Sequence, residues 1–422
     1  MNKCSIYIGS NDTEYEGQYE FIDDFLEVEI FNYHASREDH VDIGENVKYK
    51  EITIVDLRNK VFIFSPLFYN VGITFALTQY EKYKTDFYIK TGQVDSVGSF
   101  SSDMKINKII VYNPMLTQCF TNPALQITYN ESEVNYKIVN DSEKKIIEVR
   151  DNNIEKIEFG GKCTYSRLHN GQLINIEAES YAKIYLMQSI TYEDLLRYVN
   201  EFDVFMNAYC LGELHSYSTL IMTNEDKCFD VIHKLLGKEK YSKKNFYHPV
   251  KMGFFEYMET MYKNVHYRTT EDRNKYIPLE FKKPTSLEDQ YIFYFRYIDL
   301  YMGEYLKQKN GKEPNNYERL SAFVDENLQL FDDADVANVD DLKNELNSLR
   351  NQYVHEGYYL PNNQFAVKGK RREFLYNKSM DYNWLFRIVK VFKYGVYKIL
   401  YTSVLNLEIN ESELRNALAL WF

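Results

Sequence analysis

Arg350, Asn351 and His355 stand in the pattern Arg-Asn-x-x-x-His. Together they carry the groups needed for in-line attack of a ribose 2′-hydroxyl on the adjacent phosphate. An imidazole titrates near neutrality, so it can take the hydroxyl proton or supply one to the leaving 5′-oxygen. A guanidinium offers several donors to the charge that grows on the non-bridging phosphate oxygens. Asn adds a neutral contact that orients phosphate or imidazole. This chemistry requires no metal or other cofactor, and none is expected.

Spacing alone is weak evidence. An Arg five to seven positions before some His is expected about 0.8 times by chance in a chain of this composition, whereas the inner Asn lowers the expectation to about 0.02. The same three residues also fit an ordinary helix end, with His355 favoured by the macrodipole, Arg350 a surface cation and Asn351 a polar filler. None of the other seven histidines has an Arg at the same upstream spacing. Gly160-Gly161 lacks a phosphate-loop continuation, and neither G-x-S-x-G nor H-E-x-x-H occurs.

A helix over about 341–355, stopped by Gly357 and Pro361, must position the triad. On it Leu342, Leu346, Leu349 and Tyr353 form the core-facing stripe. Asn347, Asn351 and His355 stack at four-residue steps on another side, and Arg350 lies at the border, able to reach round or across to a partner protomer. Asp340-Asp341 reads as its N-cap, and Asp332-Asp333-Ala334-Asp335 as a solvated loop. Further helices are expected over about 291–308, 317–330, 382–405 and 411–420, giving a helical bundle. The first begins at the cap Thr285-Ser286-Leu287-Glu288-Asp289.

Residues 5–180 instead show short β-rich runs, such as Ile52-Thr53-Ile54-Val55 and Ile109-Ile110-Val111-Tyr112, separated by turn residues. A helix starts at Thr191, and the stretch to Phe281 is mixed. The expected architecture is α+β. A β-rich N-terminal domain over 1–280, a sandwich-like antiparallel sheet with a helical end from about 191, precedes an all-α domain over 281–422.

With 422 residues, 45% of them hydrophobic, and 39 Tyr and 27 Phe, the chain can build more than one core. Its net charge of −12 weighs against nucleic-acid binding. Yet the acidity lies mainly before residue 280, with 31 Lys+Arg against 41 Asp+Glu, and 368–398 holds nine basic against two acidic residues. Lys368, Lys370, Arg371 and Arg372 are candidate RNA-binding cations, with Tyr358, Tyr359 and Tyr376 as stacking candidates. The same basic run also reads as a solvated loop, and Arg387, Lys390 and Lys398 as cations snorkelling around an apolar helix. The first 17 residues are too polar for a signal peptide, no bilayer span is expected, and five scattered cysteines suit a reducing cytoplasm.

Residues 348–357, Ser-Leu-Arg-Asn-Gln-Tyr-Val-His-Glu-Gly, resemble the R-N-x-x-x-H signature of HEPN ribonucleases. Over about 170–422 the chain is similar to ApeA-type anti-phage proteins, in which a β-rich domain precedes a HEPN domain. The passages that carry this are Glu177-Ala178-Glu179-Ser180-Tyr181 leading into Ile190-Thr191-Tyr192-Glu193-Asp194-Leu195-Leu196, and Thr285-Ser286-Leu287-Glu288-Asp289-Gln290 leading into Tyr294-Phe295-Arg296-Tyr297-Ile298. The resemblance implies an endoribonuclease that acts as a homodimer or higher oligomer, with transfer RNA a candidate target. It further implies a role in abortive defence, with a phage-derived trigger acting on the N-terminal domain. Arg350, Asn351 and His355 match the signature position by position. Two alternatives remain: a non-catalytic HEPN module that binds RNA or scaffolds a partner, and an effector gated by a nucleotide. The second is weakened by the lack of a Gly-rich phosphate-binding strand-turn-helix.

Overall fold

The computed structural model describes residues 1–8, 13–22, 25–31, 40–43, 46–49, 52–56, 61–64, 68–73, 79–85, 87–91, 105–120, 124–129, 134–138, 144–167, 173–211, 216, 218–223, 228–233, 247–265, 274–279, 286–356 and 382–418. For some of these, 352–356 among them, only the backbone is described. The protein is α+β. Its contacts divide it into one unit of Met1–Asp203 with Leu214–Lys243 and a second of Val204–Glu213 with Lys244–Phe422.

In the first unit, alternating apolar residues make strands with one buried face, as in Ser218–Thr223, where every second residue is buried. Among the described residues fourteen strands join by hydrogen bonds into one sheet, with antiparallel pairing between neighbours. Ile6, Leu26, Val28, Ile30, Ile52 and Ile54 form part of its core. Towards one end Lys145–Asp151, Ile154–Arg167, Leu173–Ile190, Ile106–Tyr112, Ser218–Thr223 and Cys228–His233 are successive neighbours. The tight turn between the first two uses Asn152 and Asn153 at φ of 50° and 65°, a conformation Asn tolerates better than most residues. Leu173–Ile190 is a single strand of 18 residues.

Helix α1, Tyr192–Cys210, is divided between the units after Asp203. The second unit continues with α2 (Phe254–Asn264), α3 (Leu287–Asn310), α4 (Asn316–Glu326), α5 (Val339–Glu356), α6 (Tyr382–Ile399) and α7 (Glu411–Ala417). Residues 244–280, which the sequence reading puts before its domain boundary, cluster with these helices. Caps fix where they begin. Ser286 accepts from the Asp289 amide at the start of α3, and Asn315 forms a reciprocal capping box with Glu318 at α4. Gly311, at φ 70°, ends α3. Beyond Ile399, α6 widens into a π-turn over Leu400–Val404.

α3 packs on α4, α5 and α6. Its buried Tyr291 ring stacks on Phe392 of α6, with centroids 5.2 Å apart. Several tyrosines are accommodated in the interior because their hydroxyls find acceptors: Tyr257 donates to the Phe205 carbonyl, Tyr291 to Leu346, Tyr397 to Pro278 and Tyr401 to Ala208. Among the described residues no helix is long and apolar enough to cross a membrane.

The solvated loop expected at 332–335 is corrected. Asp333–Val336 is a helical turn, and Asp335 is 6% exposed because it accepts a hydrogen bond from Trp384 Nε1 at 3.2 Å. The indole needs an acceptor when buried, and this carboxylate supplies it.

Candidate active site

α5 begins two or three residues earlier than an Asp340 or Asp341 cap would require. Asn338 is the cap, its Oδ1 accepting from the Asp341 amide, while Asp340 and Asp341 fill the first turn where the dipole favours them. Leu342, Leu346 and Leu349 are buried, as their spacing predicts. Lys343 pairs with Asp325 of α4 at 2.6 Å. These contacts fix the rotation of α5 and therefore where Arg350 emerges.

Arg350 is drawn towards α3. Its side chain is 21% exposed, with Nη2 3.9 Å from Asp299 Oδ2 and Cζ 5.8 Å from the Phe295 ring centroid. Nη1 donates to Asn351 Oδ1 at 3.0 Å, so two members of the motif are directly joined. The backbone of His355 lies in the last turn of α5, and its side chain is outside the described residues. The structure thus brings Arg350 and Asn351 together with two residues of α3 that the motif does not contain.

Asp299 is an unusual neighbour for a cation. Burial pushes its carboxyl up to about 6, against the opposing pull of Arg350 and then Arg319. Its Oδ1 is buried and accepts no hydrogen bond from any described residue. Arg319 is itself committed elsewhere, donating to Glu313 and to the Pro314 carbonyl, with its guanidinium against Gly303 one turn from Asp299. A carboxyl raised by burial yet set beside an arginine marks a candidate functional position.

No protein-family model, curated protein or solved structure matches the chain.

Lys368, Lys370, Arg371, Arg372 and the three candidate stacking tyrosines lie outside the described residues. The later cations of the basic stretch have local partners. Arg387 pairs with Asp332, and Lys390 sits 4.5 Å from the Phe386 centroid. Lys398 lies 2.8 Å from Glu411 and holds that carboxyl below its ordinary range. These contacts account for Arg387 and Lys398 as paired charges within the fold.

Phe295 and Asp299 were not singled out from sequence. A signal exists in α3, where Asp299 interrupts a row of residues, Tyr291, Tyr294, Phe295, Tyr297, Ile298, Tyr301 and Met302, that are all buried.

Proposed function

We propose that this chain is a metal-independent endoribonuclease of the HEPN class, acting in defence against phage, with transfer RNA a candidate target. The observation that carries the reading is the Arg350-Asn351 pair, hydrogen-bonded at 3.0 Å near the end of a helix that continues to His355, beside a buried carboxyl pushed up to about 6. The ribose 2′-oxygen forms a bond to phosphorus as the bond to the 5′-oxygen breaks. His355 handles the proton, and Arg350 stabilises the phosphorane charge. The products are a 2′,3′-cyclic phosphate and a 5′-hydroxyl. Two copies of the helical unit pair so that two triads face one cleft, and Lys368, Lys370, Arg371 and Arg372 contact the RNA backbone.

The test is incubation of full-length protein and its His355→Ala variant with total cellular RNA in EDTA. Cyclic-phosphate ends produced by wild type and absent with the variant support the reading. An oligomeric, activated wild type that cuts only with added metal, or cuts equally well as the variant, overturns it.

A non-catalytic RNA-binding or scaffolding module is the second reading. It is favoured by the inward engagement of Arg350 with Asp299 and Phe295, which also suits a structural arginine. It predicts RNA binding or a partner complex without cleavage.

A further inference from the structure

A cavity of about 380 Å³ opens in the first unit at the end of the sheet where Ile106–Tyr112, Ile154–Arg167 and Leu173–Ile190 lie near one another. That volume lies within the range of small-molecule sites. Among the described residues its lining joins three ammonium groups, Lys144, Lys162 and Lys183, with two tyrosines, Tyr112 and Tyr181, and one carboxylate, Glu158.

The sheet register explains why they converge. Glu158 stands opposite Lys183 and Gly160 opposite Tyr181, while Ile110 faces Lys183 from the other neighbouring strand. Gly160 is needed where it is: a Cβ there would lie 2.6 Å from the Tyr181 hydroxyl, so the glycine lets that ring lie over the strand. The Tyr112 and Tyr181 rings are 6.1 Å apart and tilted at 58°. Gly160, in a pair that is silent as a phosphate loop, thus makes room for an aromatic wall.

The charges are arranged for an anion with a polar edge. Glu158 is 7% exposed; Tyr185 donates to its Oε2 at 3.2 Å, whereas its Oε1 accepts no hydrogen bond from any described residue and has Lys144 as an ion-pair neighbour at 3.0 Å. Burial and then Asp230 raise the Cys228 thiol against the opposing pull of both Lys183 and Lys162, so the two ammoniums share one locality. Burial first, then Glu179, Tyr181, Cys228 and Asp230, push the Tyr112 phenol up to about 12, and burial also raises Tyr181. Both hydroxyls are therefore neutral donors at physiological pH. Ile110, Ala124 and Ile138 supply the apolar part of the lining.

We infer that this cavity binds a purine nucleotide. Its phosphates lie against Lys162 and Lys183, its base against Tyr112 and Tyr181, and an amino group on the base donates to Glu158. The site lies wholly within the first unit and does not depend on the ribonuclease reading.

The experiment titrates full-length protein into methylanthraniloyl-labelled ADP and GDP at about 0.15 M salt, where exposed charges are screened. At least one probe should show saturable binding, displaced by the same unlabelled nucleotide and at least about tenfold more weakly by its nucleoside or by pyrophosphate. Lys162→Ala and Lys183→Ala should each weaken it about tenfold, whereas Lys263→Ala in the helical unit should not. As a readout that needs no variant, bound nucleotide should slow alkylation of Cys163, which also lines the cavity. Failure of both probes to bind overturns the inference. So does pyrophosphate competing as well as the nucleotide, or binding indifferent to both lysine substitutions with Cys163 unprotected.

Discussion

Burial raises the Asp299 carboxyl from 3.8 to about 6, so the folded chain holds that proton more tightly than the unfolded chain does. The stability this group contributes is complete below about pH 4 and is lost as the pH rises through about 6. Asp299→Asn cannot ionise, so its melting temperature should exceed that of wild type increasingly from pH 4 to pH 7.5, corresponding to at most about 3 kcal/mol. Equal melting temperatures across that range would show that the carboxylate is not penalised. If Arg350 serves catalysis, Arg350→Ala should lower RNA cleavage by about 10²–10³-fold, as loss of a charge-stabilising donor does. Arg350→Lys, which keeps the charge but loses the fork geometry, should recover little of it. The assay is single-turnover cleavage of labelled RNA. Arg350 and Asn351 were legible in the sequence because they are contiguous. Asp299 was not, because it lies 51 positions before Arg350 and only the packing of α3 on α5 makes them neighbours.

At the scale of the element, helix ends were legible where a cap is local. The Ser286 cap follows from the side chain three residues before its amide partner. The α5 cap is ambiguous in sequence because three polar residues within four positions, Asn338, Asp340 and Asp341, compete for it and only geometry selects Asn338. Packing between helices is less local. Gly395 in α6 sits where the Phe323 ring of α4 arrives, and a Cβ there would overlap that ring. Gly395→Ala should therefore destabilise the protein by about 1–3 kcal/mol despite the better helix propensity of alanine, measured as a lower urea midpoint. A neutral or raised midpoint would mean that the ring moves aside freely.

Across the whole chain, the two units are defined by which segments share contacts. Tyr401 and Tyr257 donate to carbonyls of residues 204–210, and Tyr397 to Pro278, so the helical unit draws on chain well before residue 281. A fragment of 281–422 should consequently lack cooperative thermal unfolding and near-ultraviolet circular dichroism, while 204–422 should retain both. Cooperative unfolding of the shorter fragment would contradict this account. The sequence by itself determined the α+β division, the period of most strands and helices, and the contiguous Arg350-Asn351 pair, since all of these depend on neighbours within a few positions. Only the tertiary structure decided that residues 244–280 belong with the helices, that Asp335 is buried against Trp384, and that Asp299 stands beside Arg350. Those outcomes rest on hydrogen bonds, burial and charge between residues tens of positions apart, which no local pattern encodes. The Arg-Asn-x-x-x-His motif was visible at once, whereas the buried acid beside its arginine emerged only from the packing of two helices.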